Sequence, residues 1–214
     1  MKVTEALVQR RSVRAFLPTQ VEEEKLNAIF EAAARTPSWA NSQPWEVFVA
    51  TGEALARIKT AYKEKYEEGV AGAPETPRPK EWSALAVERQ KQLRPDMARD
   101  CGDAVEQFGE LNQNMFYAPV VIYICMDKVL SEWSLYDIGA YSQSIMLTAK
   151  EYGLGTIPAM TTTVFPDVLR KELAIPDNLK VTIGIAIGYT DENHGINNFV
   201  SARSETDKVV RFFK

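Results

Sequence analysis

The stretch TPSWANSQPWEVFVA, residues 36–50, joins a polar loop to an apolar run that is rich in valine. Its first ten residues include two prolines, two serines, an asparagine and a glutamine. Such side chains form turns and both donate and accept hydrogen bonds, and surface loops often carry function. The run EVFVAT has the composition of a β-strand. A hydrogen-bonding loop directly before a strand is therefore the first candidate for a functional site.

Helical patterns surround this stretch. Upstream, EEEKLNAIFEAAAR has apolar residues at helical spacing and glutamates in the first turn, where the helix dipole favours them. The N-terminal TEALVQRR predicts a short helix with Thr4 as its N-cap. Downstream, GEALARIKTAYKEKYEEG predicts a charged, exposed helix, and FPDVLRKELAIP predicts a short one.

Three further segments have the composition of strands. They are PVVIYICMD, predicted to be buried, VTIGIAIGY, predicted to be central, and KVVRFF, predicted to be a last strand at the C-terminus. The segment SLYDIGAYSQSIMLTAKEYGLG is apolar on nearly every face, which is typical of a helix that is fully buried or lies in a subunit interface. Because strands and helices mix without regular alternation, we predict an α+β sandwich, one sheet flanked by helices.

Prolines interrupt the pattern between residues 69 and 95. GVAGAPETPRPKEW, residues 69–82, predicts an irregular surface excursion. The following segment to Tyr117 is helical in composition, with a break predicted at Pro95. The excursion is too short to separate domains, so we expect one domain over residues 1–214.

The composition excludes several classes of partner. The chain of 214 residues has a formal net charge of −4 and 45% hydrophobic residues, so no overall positive field attracts nucleic acid or an anionic membrane. No apolar stretch is long enough to span a bilayer or to resemble a signal peptide. We therefore expect a cytoplasmic protein. Of its two cysteines, Cys101 and Cys125, the second lies in an apolar run and is expected to be buried.

The chain has a single histidine, His194, which we expect to be a solvated loop residue. A hydrolase triad would depend on it entirely, and a zinc site with several histidine and cysteine ligands cannot be assembled. Neither GxGxxG nor GxxxxGK[ST] occurs. If the protein is an enzyme, an organic cofactor is therefore expected to supply the chemistry, with its phosphate held by side chains.

Arginines cluster after the first predicted helix, in RRSVRAF, residues 10–16. Guanidinium groups beside a hydroxyl suit a phosphate, because arginine offers forked donors and stays charged. The same residues also fit a solvated helix end, where basic residues complement the dipole. Near the C-terminus, NNFVSARSE places Ser201 and Arg203 in a polar loop, where each could equally be a surface residue.

The chain resembles the FMN-dependent nitroreductase family in five features that follow one another in the family's order. They are RRSVRAF, PSWANSQPW, a buried helix ending in GLG, IPAM, and the SAR before TDKVVRFF. The excursion is similar to one in a branch that includes reductases of nitrobenzoate-type compounds. The resemblance implies a three-layer α+β sandwich with a mixed or antiparallel central sheet. It also implies an intertwined homodimer that binds FMN at the subunit interface.

The resemblance assigns the FMN phosphate and ribityl chain to Arg10, Ser12 and Arg203, with Arg11 joining them. Ser201 stands where some relatives have lysine. Arg14 would approach the N1/O2 edge of the flavin, where a cation stabilises the reduced form.

The remaining implied FMN contacts surround the flavin ring. The loop of the partner subunit would close over the ring, and Trp45 would anchor that loop, although core packing explains this tryptophan equally well. The turn after IPAM would donate a backbone hydrogen bond to N5, and either Asn112 or Asn114 would face the pyrimidine edge. The full set is Pro37, Ser38, Trp39 and Asn41 from the loop, Pro158, Ala159, Met160 and Thr161 from the turn, and Asn112.

The resemblance implies an NAD(P)H-dependent oxidoreductase that reduces nitroaromatic, quinone or similar acceptors by ping-pong hydride transfer through flavin N5. No catalytic side chain and no metal are expected. Other flavin reactions on the same fold remain open, namely dehalogenation and enoyl or azoline redox chemistry, as does a non-catalytic flavin-binding module. In the excursion, Arg78 or Lys80 could meet a substrate carboxylate or could be solvated loop charges.

Overall fold

The computed structural model describes residues 1–214, which form eight α-helices and four strands. The helices are α1 (Val3–Gln9), α2 (Glu23–Ala33), α3 (Gly52–Glu67), α4 (Ala84–Lys91), α5 (Leu93–Cys101), α6 (Phe108–Gln113), α7 (Trp133–Glu151) and α8 (Pro166–Leu173). The strands are β1 (Glu46–Thr51), β2 (Val120–Asp127), β3 (Gly155–Ala159) and β4 (Leu179–Gly188).

The four strands form one antiparallel sheet in the order β1-β2-β4-β3. Across it, Phe48 pairs with Tyr123, Tyr123 with Gly184, and Gly184 with Ala159. The predicted central strand therefore lies inside the sheet, and β2 is fully buried except at its last residue. The N-terminal RRSVRAF stretch adds a single parallel bridge to β3, between Ser12 and Thr156.

Helices cover both faces of the sheet, because successive side chains of a strand point to opposite sides. On one face, residues such as Ile122 and Ile124 pack with the apolar faces of α2 and α7. On the other face, Val121, Tyr123 and Cys125 pack with α3, α5, α6 and α8. The predicted α+β sandwich of three layers is confirmed.

Two details of the helices differ from the sequence predictions. The first helix begins at Val3 with Lys2 as N-cap, so Thr4 lies inside its first turn. The break in the long helical segment falls at Gln92, and Pro95 lies in the first turn of α5. Proline is tolerated there because the N–H that it lacks has no acceptor within the helix.

Two helices each have one buried face and one exposed face, which differs from the sequence predictions. The charged helix α3 buries Leu55, Ile58 and Tyr62, so only part of its surface is exposed. Helix α7 buries one face against the sheet but leaves Trp133 and Tyr136 in solvent, the latter 77% exposed. Its solvent-facing side thus carries large aromatic side chains.

The prediction of a C-terminal strand is wrong for the single chain. Residues 209–214 form no regular element, and the side chains of Phe212 and Phe213 are 84% and 92% exposed. A strand needs a neighbouring sheet edge, and no strand within the chain pairs with this segment.

Residues 69–82, which we call the strap, contain no helix or strand, as predicted. Both cysteines are buried and unpaired, in agreement with the prediction for Cys125. None of the helices combines the length and the apolar character required to cross a membrane.

Candidate functional site

The arginines of RRSVRAF line a cavity of about 440 Å³ beside helices α1 and α7. The chain folds back so that the C-terminal SAR segment forms the opposite wall. Six of the predicted site residues lie here together, and no carboxylate lines the cavity. The lining consists of Leu7, Val8, Arg10, Arg11, Ser12, Arg14, Gln143, Phe199, Val200, Ser201 and Arg203.

The cationic groups of the cavity are only partly neutralised. Arg11 pairs with Glu192 at 3.1 Å, whereas no ion pair forms at Arg10 or Arg203. Arg203 donates from Nη1 to the hydroxyl of Ser201 at 2.6 Å. The pKa of Arg10 is lowered, mainly by burial and further by the charge of Arg203. Two neighbouring guanidinium groups without a carboxylate form a site for an anion.

Arg14 occupies the most buried position of the arginine cluster. Its Nη1 donates to the carbonyl of Ser12 at 3.0 Å, and its guanidinium lies 5.4 Å from the centre of the Phe199 ring. Burial lowers the pKa of this guanidinium. Its Nε is buried without a hydrogen-bond partner. An unpartnered buried donor on a charged group is costly, so this atom is suited to an acceptor from a ligand.

The backbone at Arg14 is held by Asn197, a residue that the sequence analysis missed. The Asn197 side chain is 2% exposed and accepts the N–H of Arg14 at 2.7 Å and that of Ala15 at 3.3 Å. Its amide donates to the carbonyls of Ala15 and Asp191. The only local signal was its place in the polar run before SAR, which does not distinguish it from Asn198.

Strand β3 connects the arginine cavity to the turn after IPAM. The N–H of Val13 donates to the carbonyl of Thr156 at 3.0 Å, near the start of β3. The strand ends at Ala159, and the turn Met160–Thr163 follows at once. The arginine cluster and this turn therefore lie near opposite ends of one short strand. Within it, Pro158 pairs with Ile185 of β4.

Beyond this turn lies a second pocket, of about 650 Å³, to which Asn112 and Thr161 both contribute. Their side chains hydrogen-bond to each other through Oδ1 and Oγ1. Asn114 instead donates to the backbone carbonyl of Glu110 and does not line this pocket. The sequence analysis left open which of these two asparagines faces the flavin ring. Of the two, only Asn112 reaches the turn after β3.

The polar loop of residues 36–43 packs on α7 rather than into the arginine cavity. The N–H of Trp39 donates to Asp137 at 3.2 Å, and the indole is 70% exposed. Trp45 stacks on Tyr141 of the same helix, with ring centres 4.4 Å apart. Within one chain, none of Pro37, Ser38, Trp39 and Asn41 lines the cavity.

The backbone of this loop is strained. Ala40, Asn41 and Gln43 all have positive φ values, of 51°, 54° and 44°. Such conformations are uncommon outside glycine and cluster at functional sites. The loop is thus held in an unusual shape while its tip stays in solvent.

His194 is partly buried, in contrast to the predicted solvated residue. Its Nδ1 accepts the N–H of Ile196 at 3.2 Å, and its Nε2 lies 3.1 Å from the side-chain oxygen of Gln107. It therefore caps the turn that carries Asn197. It does not line the arginine cavity or the second pocket.

Comparison with known proteins gives consistent results over nearly the whole chain. The sequence profile of the nitroreductase family matches residues 7–189. A 4-nitrobenzoate reductase of Pseudomonas putida is 31% identical, with 96% of this chain and 93% of the relative covered. A chloronitrobenzene nitroreductase of Comamonas testosteroni is 32% identical, with 98% and 96% covered.

Solved structures show the same similarity. The FMN and NADPH-dependent nitroreductase NfnB from Sphigopyxis sp. strain HMH superimposes with a TM-score of 0.92 at 29% identity, with both chains covered completely. The FMN-dependent nitroreductase NfnB from Mycobacterium smegmatis, solved in complex with NADPH, gives a TM-score of 0.89 at 28% identity, with 99% of this chain and 98% of the other covered.

Proposed function

The chain belongs to the nitroreductase family, and from this premise we propose that it is an FMN-dependent oxidoreductase. It takes electrons from NADH or NADPH and passes them to nitroaromatic, quinone or similar acceptors. The observation that carries the proposal is the cavity in which Arg10, Arg14 and Arg203 meet without any carboxylate. Relatives named for the reduction of nitro compounds, and related structures named for FMN and NADPH, support it.

The residues of the cavity fit a flavin mononucleotide. Arg10, Ser12 and Arg203 would hold the phosphate and ribityl chain, joined by Arg11 and Ser201, since guanidinium and hydroxyl groups are suitable donors to phosphate oxygens. The buried Nε of Arg14, which has no partner within the chain, supports a polar ligand atom at this position.

Apart from Arg14, the residues available for the flavin ring are neutral and lie at the other end of β3. Asn112 and the backbone around Ala159, Met160 and Thr161 would contact the ring edge. When bound, FMN would supply the hydride-transfer chemistry of a ping-pong cycle. The chain would position donor and acceptor in turn and keep a cation, Arg14, near the ring edge that becomes more negative.

We propose that the protein supplies no acid or base to this reaction. The single histidine caps a turn away from both pockets, and no other histidine exists. We expect the protons for the reduced acceptor to come from water. This supports an enzyme whose contribution is positioning and electrostatics.

We further propose that two copies of the chain form a homodimer with FMN sites at the interface. Large aromatic side chains in solvent support this, namely Trp39, Tyr136, Phe212 and Phe213. Trp39 and Tyr136 both lie beside the exposed Trp133, so these three rings form one apolar patch, and such patches mark protein contacts. In the dimer, Pro37, Ser38, Trp39 and Asn41 of one protomer would close over the flavin held by the other.

We also propose that the protein acts in the cytoplasm as one flavin-binding domain. Its two cysteines are buried and free, which suits a reducing compartment. Both layers of helices pack on a single sheet, which supports one folding unit.

The proposal is tested with purified protein in three steps. The protein is expected to be yellow and to release FMN on denaturation. Stopped-flow mixing with NADH and with NADPH should bleach the flavin, and subsequent addition of a nitroarene or a quinone should restore its absorbance. A protein that does not bind FMN would overturn the proposal. A flavin that no nicotinamide reduces would indicate a binding module instead.

A further inference from the structure

The strap is fixed to the body of the protein at its start. The N–H of Ala73 donates to the carbonyl of Val164, directly after the Met160–Thr163 turn, at 2.8 Å. At Gly72 a Cβ atom would lie 2.9 Å from the side chain of Val164, so glycine permits this close approach. The strap therefore begins beside the Met160–Thr163 turn, which we propose contacts the flavin ring.

A partly buried ion pair fixes the middle of the strap. The carboxylate of Glu75 accepts two hydrogen bonds from Nη2 of Arg170, at 2.7 and 2.9 Å, and one from the N–H of Val181 at 2.7 Å. Charge-assisted hydrogen bonds of this kind are the stronger ones in proteins. Although irregular, the strap is thus held in one place on α8 and β4.

So anchored, the strap forms one wall of the 650 Å³ pocket opposite α6 and the turn after β3. One lining residue is charged, and it belongs to the strap. The lining consists of Tyr66, Gly72, Pro74, Pro77, Arg78, Gly109, Asn112, Gln113, Thr161 and Val164.

The charge of Arg78 is not neutralised within the chain. Arg78 makes no ion pair, and Glu75, the acidic residue before it in the strap, is already held by Arg170. Arg78 and Tyr66 both line the pocket, and the charge of Arg78 opposes the rise that burial causes in the pKa of the Tyr66 phenol. Lys80, two residues further on, does not line the pocket. The pocket therefore has one cation, at its rim, and neutral walls.

We propose that this pocket takes aromatic acceptors that carry a carboxylate, and that Arg78 pairs with the carboxylate. This inference rests on the proposed function, since it concerns the acceptor of that reaction. The planar fork of arginine matches the two oxygens of a carboxylate. With the carboxylate at Arg78, the rest of the aromatic ring would extend over neutral groups towards Asn112 and Thr161. Arg78 would thus select between charged and uncharged acceptors.

The test compares two probes of the same shape, 4-nitrobenzoate and the neutral 4-nitrobenzamide, on the oxidised FMN-bound protein. Their dissociation constants are measured from the change in flavin absorbance and by calorimetry, without any nicotinamide. Loss of one charge-assisted hydrogen-bonded pair in Arg78→Gln should weaken binding of 4-nitrobenzoate about tenfold and change that of 4-nitrobenzamide less than about twofold. The matched control Lys80→Gln, also in the strap, should change neither.

Three results would overturn the inference. They are an equal effect of Arg78→Gln on both probes, no effect on either probe, and an effect confined to the KM for NADPH in turnover. The last would assign Arg78 to the nucleotide. If the wild-type protein reduces neither probe with NADH or NADPH, the proposed function fails on its own. Because the binding titration needs no turnover, it still decides the role of Arg78.

Discussion

Asn197 holds the backbone of Arg14 in place: its Oδ1 accepts the Arg14 N–H at 2.7 Å, across 183 positions of sequence. The guanidinium of Arg14 is therefore positioned from both sides, by its own contact with Ser12 and by a side chain near the other end of the chain. A short backbone segment without helix or strand becomes rigid through one buried amide.

Replacing Asn197 should damage both stability and flavin binding. In Asn197→Ala the N–H groups of Arg14 and Ala15 lose their acceptor, which we expect to lower the free energy of unfolding by about 1–3 kcal/mol. Urea unfolding of the apoprotein and titration with FMN measure the two effects. The neighbouring Asn198 is exposed, and Asn198→Ala should stay within about 0.5 kcal/mol of wild type. Equal effects of the two substitutions would contradict a positioning role for Asn197.

Removing Arg203 should weaken FMN binding only because its contact with the FMN phosphate is lost. In Arg203→Gln we expect the dissociation constant of FMN to rise roughly 10- to 100-fold, because charge-assisted hydrogen bonds are lost. Riboflavin, which lacks the phosphate, should bind as it does to wild type. The apoprotein should not lose stability, since Arg10 is relieved of a neighbouring like charge. The exposed Arg94 provides the control Arg94→Gln, and a parallel loss of riboflavin binding would argue against a phosphate contact.

Lys59 of α3 should make stability rise with pH in the alkaline range. Its ammonium donates to the carbonyl of Ala118, and burial lowers its pKa from 10.5 to about 8. Below pH 8 the lysine is protonated in both folded and unfolded states, so the cost of burying the charge is present in full. Between about pH 8 and 10.5 only the unfolded chain holds the proton, so stability increases as pH rises.

The measurement compares wild type with Lys59→Met by urea unfolding at intervals from pH 7.5 to pH 10. Relative to the variant, the wild type should gain at most about 1.4 kcal/mol per pH unit within that window. Taking the difference removes the titration of the other groups. A difference that does not change with pH would show that the lysine keeps its ordinary pKa when folded.

The C-terminal aromatics should stabilise the proposed dimer. The double substitution Phe212→Ala and Phe213→Ala removes two side chains that are almost fully exposed in the single chain. If both are buried against the partner, the dimer dissociation constant should rise at least about tenfold. Sedimentation velocity over a concentration series measures this, with Lys214→Ala as control. A wild-type protein that sediments as a monomer with FMN bound would end the homodimer proposal.

Local sequence was sufficient for most of the secondary structure. EVFVAT forms β1 over its whole length, because valine and phenylalanine favour a pleated strand and β2 is available to pair with it. The helical spacing of Leu26 and Ile29 likewise predicted α2 and its buried face. The C-terminal KVVRFF has similar composition but no strand to pair with, so the same reasoning failed there.

The sequence by itself thus determined most of the helices and strands, although not β3, and also which residue types are suited to an anion, because these depend on neighbours along the chain. Only the tertiary structure decided that Asn197 supports Arg14, that Asn112 rather than Asn114 meets Thr161, and that the strap directs Arg78 to the pocket. Contacts of this kind join residues far apart in sequence. Their partners are selected by the packing of the sheet and its two helical layers, which no local pattern specifies.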